Sequence, residues 1–283
     1  MQVGLYVVST PIGNLQDITL RAIATLQQVA LVLVEDTRQA RKLWETYDIH
    51  TPMCVANQHT EKTAIRRVLG CLAAGQSVAL ISDAGTPLIH DPGALLVPAV
   101  IAAGHKVMPI PGACAAIAAL SVAGYEVSQF HFVGFLPPKG SDADKVIATH
   151  VDTPVPLVFY EAPHRLASTI ERMVRLFGEA RGVVLARELT KHFETIHRCS
   201  LGALHQAIIT GGVTIKGEMV IIVAGAEVAA PSSEGEITVS VARIVQALLS
   251  QLSVKDAAGV LSTITGLSHS KAYSACLAGK KSG

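Results

Sequence analysis

Aromatic side chains are scarce in this chain, with Phe, Trp and Tyr together making up 4% of it. The hydrophobic half of the sequence is therefore aliphatic, mostly Ala, Val, Leu and Ile. Such material suits helices packed on parallel strands. An excess of charge of either sign is also missing, since the formal net charge is +1 with His neutral. A global basic footprint for nucleic acid is excluded, and a local patch stays open. Cysteine pairs are absent. Cys54, Cys71, Cys114, Cys199 and Cys276 are odd in number, widely spaced and never CxxC. A disulfide framework and a structural zinc site are not expected, and reduced thiols in a cytoplasmic protein are. The 11 histidines lack ligand spacing, so no metal is expected. No apolar run reaches the ~20 residues of a membrane-spanning helix. The nearest candidate, residues 113–123, reads as a buried helix. The first residues enter a strand with no basic region or cleavage pattern, so no signal peptide is expected.

Familiar catalytic signatures are missing too. No G-x-G-x-x-G follows the first strand, and no G-x-x-x-x-G-K-[ST], H-E-x-x-H or G-x-S-x-G occurs. Dinucleotide binding, a nucleoside-triphosphate loop, a zinc peptidase and a nucleophile elbow all lose their usual support.

What the chain does have is SDAGTPLIHDPG at residues 82–93. It follows an apolar run, 78–81, that reads as a buried parallel strand. It precedes a small-residue helix at 94–103. Two glycines allow close backbone approach or unusual dihedrals. Two prolines fix φ and remove donors. Ordinary connections run about 2–6 residues, so a loop of this length at the carboxyl end of a strand predicts a ligand site. The alternative is a plain turn with helix-capping residues.

Strands and helices alternate regularly through the first half. Strands are expected at 5–9, 31–34, 53–55, 78–81 and 105–110, with helices between them, and this order predicts a parallel sheet. Asp17 or Thr19 is expected to cap the first helix. A second α/β unit begins near Phe130, with strands at 131–135, 156–160, 182–186, 194–199 and 219–223. Weak alternation over 191–199 predicts a mixed second sheet. Residues 229–235 read as a linker by composition. From 237 to 277 the spacing of Ile244, Leu248 and Leu252, then Ala257, Val260 and Leu261, predicts two or three short helices. The expected division is 1–115, 116–228 and a small helical tail at 237–283: two α/β domains with a cleft between them, plus that tail.

The strand ends carry TPIGNL (10–15), EDTR (35–38), PGACAA (111–116), GFLPPK (134–139), FYEAPHRL (159–166) and ARELTK (186–191), and GEMVIIV spans 217–223. Together with ITLRA at 18–22, these motifs resemble the tetrapyrrole methylase superfamily. Within it they are similar to the bacterial branch that methylates a cytidine ribose 2′-hydroxyl in small-subunit (16S) ribosomal RNA. The resemblance spans about residues 5–223 and is looser in the tail. It departs at Asn57 and Gln58, where the branch carries His and an acidic residue, and at Ala113 and Ala162. It implies S-adenosylmethionine held between the two α/β domains, a homodimer, and ribosomal RNA or the small subunit as partner, with no membrane. By the same resemblance Pro11, Gly85, Thr86, Ile89, Cys114, Ala115 and Glu161 face the cofactor.

Read for chemistry, Asp83 is a hydroxyl or amine partner from the same loop. Proton handling falls to Asp36, His59, Glu61, Glu161 or Glu188, with Asp36 and Glu161 favoured; the competing role for each is a helix cap or an ion pair with Arg38, Arg165 or Arg187. Arg38, Lys139, Arg165, Arg187 and Lys191 are candidates for RNA phosphates. Lys255, His269, Lys271, Lys280 and Lys281 in the tail offer either an RNA-docking surface or a plain solvated face. Two other functions fit the fold: methylation of a tetrapyrrole or other small molecule, and a non-catalytic ribosome- or RNA-binding factor.

Overall fold

A computed structural model gives the architecture and describes residues 1–56, 61–89, 93–227 and 241–281. The expectations for Asn57, Gln58 and His59, for the linker at 229–235 and for residues 90–92 of the long loop lie outside the described residues. So do the side chains of Glu61, Lys280 and Lys281. The chain divides into two compact units, Met1–Ala226 and Glu227–Gly283.

The first sheet comprises β1 (Leu5–Val8), β2 (Leu31–Val34), β3 (Met53–Val55), β4 (Val78–Leu80) and β5 (Val107–Ile110). Its order is β3-β2-β4-β1-β5, and every pairing is parallel. Parallel strands are covered on both faces, which is why LVLV and VAL are apolar throughout. Successive side chains leave on opposite faces. Tyr6, Val32 and Val34 join Leu26 and Trp44 on one side, while Leu5, Leu31 and Leu33 join Val68, Leu72 and Leu96 on the other. Each such buried aliphatic side chain contributes about 1.5–3 kcal/mol. The covering helices are α1 (Leu20–Gln28), α2 (Thr37–Thr46), α3 (Glu61–Ala73) and α4 (Leu96–Ala102). Thr19 caps α1, its hydroxyl accepting from the Ala22 N–H at 3.1 Å.

The second sheet comprises β6 (His131–Phe135), β7 (Leu157–Glu161), β8 (Gly182–Arg187), β9 (Thr195–Ser200) and β10 (Met219–Val223), in the order β6-β7-β10-β8-β9. Only β6 and β7 run parallel, so the sheet is mixed as expected. One face packs Leu157, Phe159, Leu185 and Ile221 beneath α6 (Gly140–Ala148), α7 (Leu166–Phe177) and α8 (Leu201–Ile209). The other face receives α5 (Ala115–Ser121). This helix leaves the first sheet from β5 yet lies on β7 and β10, so it links the two sheets. It is shorter than the expected span of 113–123 and buried on one side alone. Ala116, Ala119 and Leu120 face the sheet while Ile117 is exposed, because a single helix on a sheet face can bury only one stripe.

The described residues of the tail form three helices, α9 (Val241–Leu249), α10 (Val254–Thr265) and α11 (His269–Lys281). Ser253 caps α10, and Gly266 ends it in the left-handed region at φ 70°. Leu252 and Val260, part of the spacing that predicts these helices, are exposed. Ala257, Ala258, Ala272 and Cys276 fill the interior instead. Val245 and Leu261 are buried among them.

Candidate functional site

The order of the first sheet places β1 between β4 and β5, so the loops leaving β1, β4 and β5 meet at one edge. Crevices of this kind, where neighbouring strands lead off in different directions, are where open sheets bind ligands. Here the loops are joined by backbone. Thr10 and Gly85 exchange reciprocal N–H to carbonyl bonds of 2.8 and 3.1 Å. The Thr86 hydroxyl donates to the Ala113 carbonyl at 3.0 Å and lies 2.9 Å from the Ser9 hydroxyl. Gly85 sits at φ 80°, and a Cβ there would press on Ile12 Cγ2 at 3.3 Å. The described part of the long loop after β4 is thus pinned against its neighbours, with positive φ at Gly85, at Leu88 (72°) and at Gly93 (119°).

Across the crevice stands the second sheet. The Ala116 N–H donates to the Tyr160 hydroxyl at 3.2 Å, which fastens the start of α5 to β7. Phe135 packs edge-on to Tyr160 with centroids 5.5 Å apart. Between the two sheets lies a cavity of about 390 Å³. From the first side it is lined by Ile12, Ala84, Gly85, Thr86, Ile89, Cys114 and Ala115. From the second side come Phe135, Tyr160, Glu161, Leu189, Glu218, Met219 and Val220, among others. The described lining holds two carboxylates and no Lys, Arg or His.

A second, more polar cavity of about 200 Å³ adjoins the first and shares Ile12, Ala84 and Glu218 with it. Its wall includes Pro11, Gln39, Lys42, Asp83 and Lys191.

Of the residues expected to face a cofactor, Gly85, Thr86, Ile89, Cys114, Ala115 and Glu161 line the larger cavity, whereas Pro11 and Asp83 line the smaller one. Asp36 lines neither. Its carboxylate accepts from the Arg38 N–H and, at 2.6 Å, from the Arg38 guanidinium, so it caps α2. The side-chain hydrogen bond from Arg38 holds its pKa below the usual aspartate value. Glu161 is buried with both oxygens engaged. Oε1 accepts from the Ala162 N–H at 2.9 Å and lies 3.3 Å from Arg165 Nε, and Oε2 accepts from the Thr169 hydroxyl at 2.6 Å. These bonds lock the turn from β7 into α7.

The basic candidates separate by environment. Arg165 donates to the Leu136 and Pro137 carbonyls and so holds the GFLPPK loop. Arg187 is buried and donates to Thr195 Oγ1 and to the carbonyls of Phe193 and Lys216. Arg38 and Lys139 are exposed. Glu188 and Thr190 adopt left-handed φ values of 52° and 66°, a strained turn between β8 and β9. It presents Lys191 Nζ 2.9 Å from Glu188 Oε1 and 3.3 Å from Glu218 Oε2. Burial pushes Glu188 up, but the Glu218 N–H and the Lys191 ammonium outweigh it and hold the carboxyl below the usual range. Burial likewise opposes charge on Lys191, and the two glutamates outweigh it and raise its pKa.

Several wall residues were not singled out by sequence reasoning: Ile12, Phe135, Tyr160, Ala186, Leu189 and Gly217 to Val220 in the larger cavity, and Gln39 and Lys42 in the smaller. Most lie inside the motifs GFLPPK, FYEAPHRL, ARELTK and GEMVIIV, so the signal was present as motif but not as wall.

The family profile described as "Tetrapyrrole (Corrin/Porphyrin) Methylases" matches residues 4–205. A Pseudomonas aeruginosa protein named ribosomal RNA small subunit methyltransferase I is 44% identical over 273 residues, covering 96% of each chain. One of the same name from Escherichia coli O157:H7 is 42% identical over 269 residues, covering 95% of this chain and 93% of its own. Among solved structures, diphthine synthase aligns with a TM-score of 0.61 at 13% identity, covering 78% of this chain and 89% of its own. A uroporphyrin-III C-methyltransferase from Thermus thermophilus, complexed with S-adenosylhomocysteine, aligns with a TM-score of 0.58 at 17% identity, covering 78% of this chain and 97% of its own.

Proposed function

Because this chain belongs to the tetrapyrrole methylase family, we propose that it transfers a methyl group from S-adenosylmethionine to a cytidine ribose 2′-hydroxyl of small-subunit (16S) ribosomal RNA. The observation that carries the choice of acceptor is coverage. The ribosomal RNA methyltransferases match this chain nearly end to end, tail included. The structural neighbours named for small-molecule methylation align with 78% of it. The first compact unit alone is 226 of 283 residues.

The larger cavity fits the donor. Its volume lies within the ordinary range of about 300–1,000 Å³ for small-molecule sites. Gly85 offers bare backbone on one side, and a Cβ on Gly217 would collide with the Glu188 carboxylate on the other. The described lining carries no Lys, Arg or His to repel a positively charged sulfonium, and its two carboxylates, Glu161 and Glu218, are held by Arg165 and Lys191. When bound, S-adenosylmethionine supplies an activated methyl group, and the protein's part is then mainly alignment and exclusion of water. Gly85, Thr86, Ile89, Cys114 and Ala115 hold one side of the donor; Glu161 fixes the turn beneath it. Exposed Arg38 and Lys139 stand outside as contacts for RNA phosphates. A homodimer in the cytoplasm completes the reading. All five cysteines are free, in keeping with a reducing compartment, and no helix among the described residues is long and apolar enough to cross a membrane.

Calorimetry with S-adenosylmethionine, followed by labelled methyl transfer to unmodified small subunits and nucleoside digestion, tests this function. The expected product is 2′-O-methylcytidine. Transfer to a tetrapyrrole with none to RNA would move the chain to the small-molecule branch. Failure to bind the donor would make it a non-catalytic factor.

A further inference from the structure

The smaller cavity adjoins the donor's cavity and shares Ile12, Ala84 and Glu218 with it. In-line displacement requires the incoming oxygen to approach the methyl carbon opposite the sulfur, so the acceptor must enter from an adjoining space. The smaller cavity is such a space, and its polar wall suits a nucleotide better than a hydrocarbon. Gln39 and Lys42 come from α2, Asp83 from the loop after β4, and Lys191 from the turn between β8 and β9.

We propose that this cavity receives the ribose of the target nucleotide and that Asp83 accepts the proton of its 2′-hydroxyl. The inference rests on the methyl-transfer reading above. In the step, a bond forms between the hydroxyl oxygen and the methyl carbon. The carbon–sulfur bond breaks with its electron pair left on sulfur. The hydroxyl proton passes to the Asp83 carboxylate and from there to water.

Asp83 adjoins Ala84, a residue of the shared wall. Its Oδ1 accepts from the Asp36 N–H at 3.1 Å, which orients the carboxylate. Burial raises its pKa, and the neighbouring Asp36 charge adds to the rise against the opposing backbone hydrogen bond, so the group is a stronger base than an ordinary aspartate. Lys191 stays an ammonium between Glu188 and Glu218, and together with Lys42 it offers cations to the flanking phosphates.

Asp83→Asn keeps an oxygen for the Asp36 N–H, so the fold is retained. The expected result is a kcat on small subunits lowered about 100-fold or more, with KM and the calorimetric affinity for S-adenosylhomocysteine each within about 3-fold of wild type. Gln39→Trp fills the smaller cavity from the exposed face of α2; it should raise KM for small subunits about 10-fold or more and leave S-adenosylhomocysteine binding unchanged. Wild-type turnover in Asp83→Asn overturns the proton role. A loss of S-adenosylhomocysteine affinity equal to the loss of activity makes Asp83 a donor ligand instead. An unchanged KM in Gln39→Trp puts the ribose elsewhere. If the wild-type protein methylates no small subunit, the function itself fails and this inference with it.

Discussion

On the side of the first sheet the larger cavity meets backbone and small residues: Ala84, Gly85, Thr86, Cys114 and Ala115. On the side of the second sheet it meets long side chains: Phe135, Tyr160, Leu189, Met219 and Val220. The cause is topology. Parallel strands end together at one edge, so the first side is made of the loops that leave them. The second side includes a sheet face. Val220 pairs with Tyr160 on β7 and with Ala186 on β8, so these three side chains form one row across adjacent strands. A loop wall is intolerant of added bulk, whereas a side-chain wall depends on packing and on the buried polar contacts that hold its turns.

Adding bulk to the loop wall tests that contrast most severely. Gly85→Val places a β-branched residue at φ 80°, with Ile12 Cγ2 3.3 Å from the new Cβ. Calorimetry should show S-adenosylmethionine affinity lowered on the order of 100-fold or more. An affinity within a few-fold of wild type would mean the loop does not carry the donor. Next comes Glu161→Ala on the opposite side. It strands the buried Thr169 hydroxyl and removes the carboxylate beside Arg165 Nε, while the guanidinium keeps its bonds to the Leu136 and Pro137 carbonyls, so the cost is about 1–3 kcal/mol. Denaturant unfolding should show a loss of that size, with Glu161→Gln losing less; equal, small losses would make the Glu161 bonds dispensable to the fold.

Lys139→Ala sharpens the comparison at the mouth of the site. Binding of small subunits should weaken a few-fold, by about 1 kcal/mol, with S-adenosylmethionine affinity unchanged. Equal losses in both would remove Lys139 from the RNA surface. The smallest effect concerns acid. The folded pKa of Glu188 lies below the ordinary value, so its pairing stabilises the protein above the unfolded pKa and that contribution is lost as pH falls through the folded one. Glu188→Gln should flatten the fall in stability below the ordinary glutamate range. Lys191 has the opposite sign: its contribution is present at neutral pH and is lost only as pH rises through its raised folded pKa. Parallel pH–stability curves for the two proteins would show that the turn contributes nothing.

Much of the fold was legible because its signals are local. Thr19 announces a helix start. Apolar runs such as LVLV announce strands covered on both faces. In the site, the loop at 82–89 was legible because glycine frees and proline fixes the backbone within a few residues. The roles of Arg165 and Arg187 were not. A guanidinium reads the same in sequence whether it meets RNA or, as here, carbonyls about 28–29 residues away along the chain for Arg165 and Lys216 for Arg187. Leu252, counted in the first helical spacing, falls in the turn after α9 ends at Leu249, because periodicity marks a stripe but not where the helix stops.

The sequence by itself determined the aliphatic layers, the two sheets, the short helices of the tail and the motif-bearing strand ends. Tertiary structure decided which of those ends face one another. The bridge from Thr10 to Gly85, the bond from Ala116 to Tyr160 and the row of Tyr160, Val220 and Ala186 all depend on pairing between distant segments. Local propensity and period report whether a residue is buried and in what kind of element. Strand order and register are set by which whole faces bury one another, a property of the assembled chain, and they alone split the crevice into one apolar cavity and one polar one.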